Sequence, residues 1–142
     1  MPAEVFIDSN VWLYALIETS RPDPRAATAR ALIAAQPRPV ISTQVIREVS
    51  VNLLRKAGVA EAAIRELVRS WYADCLVTDI SEAQFLHASQ LREQLSISYW
   101  DSLIVAAALD AGCVMLYSED MQHGQVIEGR LTILNPFRTT KA

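Results

Sequence analysis

The chain has 142 residues, 51% hydrophobic and 20% charged, with 4 Gly and 6 Pro. That balance fits one globular domain over residues 1–142, long enough to bury roughly two-thirds of the unfolded chain's surface, and it excludes disordered and collagen-like classes. A net charge of −3 and a pI of about 5.3 exclude a chain basic along its whole length, the usual profile of a non-specific nucleic-acid binder, but not a local cationic patch.

In chain order, Val5 to Ile7 reads as a short strand ending at Asp8, after which Ser9 or Asn10 caps a helix through Leu16. The segment R-P-D-P breaks that helix, and Ala26 to Ala35 forms the next. Pro37 and Pro39 lead into a strand, Val40 to Ser42. Thr43 then caps a helix to about Ala57, with Gly58 as its stop and Val45, Ile46, Val49 and Leu53 as its apolar stripe. A helix over Ala60 to Ala73 precedes a strand, Cys75 to Thr78. Ser81 with Gln84 opens a further helix as a capping box, and Trp100 to Ala111 is a helix closed by Gly112. Strands at Val114 to Tyr117 and Leu131 to Leu134 complete the pattern. Strands separated by helices imply β-α crossovers, hence an α/β fold with a mostly parallel sheet and helices on both faces.

Cys75 and Cys113 lie in apolar surroundings without a C-x-x-C motif, which implies buried, reduced thiols. The start, MPAEVFID, offers no basic region or apolar stretch suited to export, and the longest apolar run, LIVAAAL, is too short for a bilayer. The expectation is a cytoplasmic protein without a membrane partner. His87, His123 and the arginines of residues 21–38 and 47–55 read as ordinary surface groups, and Trp12, Tyr14, Trp71, Tyr72 and Trp100 as core or subunit contacts rather than base-stacking platforms.

In an open parallel sheet, ligands bind beyond the carboxyl ends of the strands, where helix N-termini also lie. Asp8 follows the first strand directly and Asp120 follows VMLY in Ser118-Glu119-Asp120. Glu48 falls in the second turn of its helix, at the border of the apolar stripe, and Asp101 in the first turn of the Trp100 helix. Four acids from distant segments are thereby expected at one edge. Two carboxylates about 4 Å apart repel by roughly 4 kcal/mol at an effective dielectric near 20, so such a cluster takes up protons or a cation. Oxygen donors without Cys or His favour Mg2+ or Mn2+ over zinc. Such an ion activates water and neutralises charge on a phosphodiester, which makes a phosphodiester the natural substrate class. Taken singly, each acid has a plain alternative: a cap at Asp8 and Asp101, a solvated helix position at Glu48, a loop aspartate at Asp120.

With these residues in order, the chain resembles the PIN-domain ribonucleases, and among them the VapC-type toxins of type II toxin–antitoxin pairs. Ile7-Asp8-Ser9-Asn10, Glu48 in STQVIREVS, Asp101 in YWDSLIVAAA and Ser118-Glu119-Asp120 carry the resemblance, which spans Val5 to about Leu134. It implies a three-layer α/β/α fold and a magnesium- or manganese-dependent endoribonuclease in which Asp8, Glu48, Asp101 and Asp120 hold the metal. It also implies an RNA substrate, a small antitoxin partner and a homodimer. Asn10, Ser118 and Glu119 are supporting candidates. Many members follow the last acid with an aromatic residue, whereas Met121-Gln122-His123-Gly124 follows here, which leaves Glu119 competing with Asp120; Asp120 is preferred because Ser118-x-Asp120 keeps the spacing and lets Ser118 hydrogen-bond the cluster. The alternative reading is a non-catalytic RNA-binding or regulatory module on the same fold, for which four clustered acids facing phosphate have no use.

Overall fold

A computed structural model describes residues 4–138, so the first three residues of the MPAEVFID start lie outside the described residues. The elements run β1 (Val5–Ile7), α1 (Ser9–Leu16), α2 (Pro24–Ala35), β2 (Val40–Ser42), α3 (Thr43–Lys56), α4 (Glu61–Asp74), β3 (Leu76–Thr78), α5 (Glu82–Gln94), α6 (Tyr99–Asp110), β4 (Met115–Tyr117), β5 (Val126–Ile127) and β6 (Leu131–Leu134). The strands form one sheet of order β3-β2-β1-β4-β6-β5, parallel except for the β5–β6 pair. The expected α/β fold with a mostly parallel sheet is what the chain adopts.

The strand order places the helices. From β1 the chain moves outward to β2 and β3, through α1 to α4; it then returns past β1 to β4, through α5 and α6. Crossovers between parallel strands are right-handed, so opposite directions of travel put the two helix sets on opposite faces. Helix α1 packs on α2 and α3, and α5 packs on α6, in agreement. The direction reverses between β1 and β4, which makes their carboxyl ends the sheet's switch point and the natural crevice for a ligand.

Burial follows the strand and helix patterns. Phe6, Ile7, Val40, Ile41, Leu116 and Ile133 are buried in the sheet, and Val45, Val49 and Leu53 form the inner stripe of α3. Helix α6 is buried almost all round, from Ser102 to Leu109, and its run of alanines lets neighbouring backbones approach closely. Trp12 meets Trp71 edge to face, centroids 5.9 Å apart, so both lie in the core, one of the two places expected; Tyr72 and Trp100 lie outside it, exposed on the surface. Both cysteines are buried and free, and burial pushes their thiols up to about 11 at Cys75 and about 12 at Cys113.

The helix starts depart from the sequence reading by small steps with a common cause. Helix α1 is capped by Asp8, not by Ser9 or Asn10, and α3 by Ser42, not Thr43. In each case the last extended residue of the β-α turn carries the cap, because its backbone is still in the β region when the helix begins. Pro24 at the first turn of α2 starts that helix two residues before Ala26, with Asp23 as cap. At α5 the Gln84 N–H donates to Ser81 Oγ as expected, but the buried Gln84 side chain donates to Asp110 at the end of α6 rather than closing a capping box. Strand β5 was not foreseen; the chain turns into β6 through Glu128 and Gly129, both with positive φ. Glu128 is held there by His87 at 2.6 Å and Arg130 at 3.1 Å. Among the described residues, no helix is long and apolar enough to cross a membrane.

Candidate active site

Asp8 leaves β1 at the switch point and is almost fully buried, with 5% of its surface exposed. Its N–H donates to the Tyr117 carbonyl at 3.0 Å, which continues the β1–β4 pairing by one residue and fixes where the side chain emerges. The carboxylate accepts two firm hydrogen bonds: the Ser9 N–H at 2.7 Å on Oδ1 and the Ser118 hydroxyl at 2.8 Å on Oδ2. Capping α1 therefore leaves the Ser9 hydroxyl free, and it donates to Glu48 Oε2 at 2.8 Å. Ser9 thus links the first acid to the second across 39 residues of chain. It is the residue that sequence reasoning passed over as a site member, and the [Asp]-Ser-Asn order in the first motif was the available signal.

Glu48 is half-buried at the edge of the α3 stripe, and Gln44, one turn earlier, donates to its Oε1 at 3.1 Å. Asp101 lies in the first turn of α6, where its N–H donates to the Ser98 hydroxyl at 3.1 Å. Asp120 is exposed, and the Asn10 amide donates to its Oδ2 at 3.1 Å. The same Asn10 accepts from the Glu119 N–H at 3.2 Å, so it grips the loop after β4 from two directions. Glu119 itself turns away. It accepts from the Tyr14 hydroxyl at 2.7 Å and pairs with Arg25 at 3.8 Å, tying that loop to α1 and α2. His123 is likewise a loop anchor, accepting the Asn135 N–H on Nδ1 at 3.0 Å.

The electrostatics show that Asp8, Glu48, Asp101 and Asp120 share one field. Burial pushes the Asp8 carboxyl up to about 6, against hydrogen bonds from Ser118 and Ser9 that favour the charged form; the charges of Asp101 and Glu48 raise it further. Asp101 is also shifted upward, first by partial burial and then by Asp120 and Glu48, with Ser98 opposing. None of the four forms an ion pair among the described residues. Their negative charge is uncompensated.

Among the described residues, no three His, Cys, Asp or Glu side chains draw together tightly enough to cage one ion. The donor set still fits a hard divalent ion. Mg2+ commonly takes one or two protein carboxylates and completes its shell with water and phosphate oxygens. Every candidate donor is oxygen, and the buried Asp8 lacks a counter-charge.

Comparison with known proteins gives this geometry a family. The sequence matches the PIN domain over residues 5–127. The chain belongs to the PIN-domain family. Two solved structures have the same fold as this PIN domain. One is VapC20 of Mycobacterium tuberculosis, described as a sarcin-ricin loop cleaving toxin: TM-score 0.63, 20% identity, 80% of this chain and 87% of that one covered. The other is a toxin–antitoxin complex from Klebsiella pneumoniae: TM-score 0.68, 19% identity, 96% of this chain and 100% of that one. No curated protein sequence matches the chain.

Proposed function

We propose that this PIN domain is a metal-dependent endoribonuclease that hydrolyses RNA phosphodiester bonds with Asp8, Glu48, Asp101 and Asp120. The carrying observation is Asp8: a buried carboxylate without a counter-ion, held from both sides by Ser9 and Ser118 at the sheet's switch point. A protein retains so costly a group where its charge is used. When bound, Mg2+ or Mn2+ would be held by these carboxylates and would supply an activated water and charge neutralisation on the phosphate. The chain's own share is positional. Ser118 and the Ser9 N–H fix the Asp8 carboxylate, Ser9 and Gln44 fix Glu48, and Asn10 fixes Asp120.

The reading extends to biology. One structural neighbour is described as a toxin that cleaves the sarcin-ricin loop, and the other comes from a toxin–antitoxin complex. By that likeness the chain acts as a VapC-type toxin in the cytoplasm, as a single nuclease domain. It forms a homodimer and is restrained by a small antitoxin encoded beside it.

Purified protein should cleave RNA with Mg2+ or Mn2+ and stop on addition of EDTA. Asp8→Asn and Asp101→Asn should each lose about a hundredfold or more in rate, the scale of losing one electrostatic anchor in a site. Full activity in Asp8→Asn would sink the mechanism, and full activity in EDTA would sink the metal.

A further inference from the structure

Beside the carboxylates lies a groove of about 740 Å3, formed by the N-terminal halves of α3, α5 and α6. Glu48 lines it, so groove and acid site are continuous. Its wall includes Trp100, the chain neighbour of Asp101, which is 64% exposed. An indole this open to water is unusual for a residue of such hydrophobic area. It is also held in place. Tyr99 packs against it edge to face with centroids 5.2 Å apart, and the Arg92 guanidinium lies 4.7 Å over the Tyr99 ring. Gln44 Nε2 reaches both Glu48 Oε1 at 3.1 Å and the Trp100 carbonyl at 3.4 Å, locking the first turn of α6 to α3. On the α3 side Arg47 enters the groove. Among the described residues its hydrogen bonds go to Thr43 and it forms no ion pair, although Asp79, to which the Thr43 hydroxyl donates, lies near enough to feel its charge.

We propose that Trp100, braced by Tyr99, is the stacking platform for an unpaired base of the RNA strand held at the carboxylates, with Arg47 meeting a backbone phosphate of that strand. The inference rests on the ribonuclease reading and deepens it. A single strand needs a π-face for its base and a cation for its backbone, and the groove offers both beside the acids. Stacking tolerates any base, so Trp100 sets grip and register rather than sequence.

Trp12 and Trp71 are only 6% and 1% exposed, which leaves Trp100 as the tryptophan that a ligand can touch. Asp8→Asn protein with Mg2+ should therefore show saturable fluorescence quenching by short single-stranded RNA oligonucleotides, lost in the Asp8→Asn/Trp100→Phe pair. In cleavage by the otherwise unaltered chain, Trp100→Ala should raise KM about tenfold with kcat changed less than about threefold, and Trp100→Phe should restore most of the KM. Absence of quenching overturns the proposal. So does a free protein whose Trp100 is already shielded from acrylamide while it sediments as a dimer, since a second copy then covers the face. Cleavage by the parent with an unmoved KM in Trp100→Ala overturns stacking and leaves the nuclease reading standing. Quenching without cleavage by the parent does the reverse.

Discussion

At the scale of one residue, Asp8 concentrates the tension between folding and function. Its carboxyl is raised from 3.8 to about 6 by burial, so the folded chain holds a proton that the unfolded chain gives up. The sign follows for this group: the contribution of Asp8 to stability is greatest below pH about 4, falls as pH rises through 3.8 to about 6, and stays at the lower level above, while Asp23, Asp79 and Glu128, whose carboxyls are shifted down, act the other way in acid. The cost at neutral pH is about 3 kcal/mol, at roughly 1.4 kcal/mol per pKa unit. In EDTA, thermal melts of the parent should lose stability across that window, and Asp8→Asn should melt several degrees higher than the parent at pH 7.5. An Asn amide can accept the Ser9 N–H on its oxygen and donate its NH2 to the Ser118 hydroxyl, without the buried charge. An Asn variant that melts at or below the parent would show that the carboxylate is comfortable as it stands, which removes the electrostatic case for a cation.

At the scale of elements, the acids depend on where strands stop and helices start. Asp101 is presented by the first turn of α6, which the Ser98 hydroxyl caps. Ser98→Ala should cost about 1 kcal/mol of stability and, by fraying the turn that carries Asp101, lower kcat more than it raises KM; Ser98→Thr should restore both. Chemical denaturation and RNA cleavage measure the two effects, and an unchanged kcat would mean that the turn holds without its cap. This level was largely legible in the sequence. Hydrophobic runs, proline breaks and glycine stops mark β1, β2, β3, β4 and β6 and every helix, because each signal is local. Strand β5 escaped because two residues cannot display an alternation, and its turn uses Glu-Gly rather than an Asn-Gly signal. The spacing Ser118-x-Asp120 favours Asp120 over Glu119 as the fourth acid without deciding it; in the fold the Asn10 amide reaches Ser118 and Asp120 while the Glu119 carboxylate meets Tyr14. Ser9 was hidden for a different reason: its partner Glu48 is 39 residues away, and no local pattern encodes a bridging hydroxyl. Trp100 was read as core or subunit contact, since apolarity alone does not say which face of a helix is covered.

At the scale of the whole molecule, charge decides how a strand of RNA is met. The chain carries a net charge of −3, and the candidate site concentrates four of its carboxylates where, on the proposed function, phosphate would arrive. On the proposed function long-range attraction is weak, and grip would come from the metal the site would hold, from stacking at Trp100 and from Arg47. Counterion release scales with the number of phosphates that protein cations neutralise, with a slope of about −0.7 per contact for single strands. One or two such contacts imply that affinity falls only about 3- to 7-fold between 50 and 200 mM salt, against a thousandfold or more for a basic protein making many contacts. Measuring KM for a short RNA across that range at fixed Mg2+ should give the shallow slope, and Arg47→Ala should flatten it by about one contact. A loss of more than about a hundredfold over the same range would mean that many more protein cations than Arg47 grip the strand, and that Trp100 and Arg47 are minor parts of the grip.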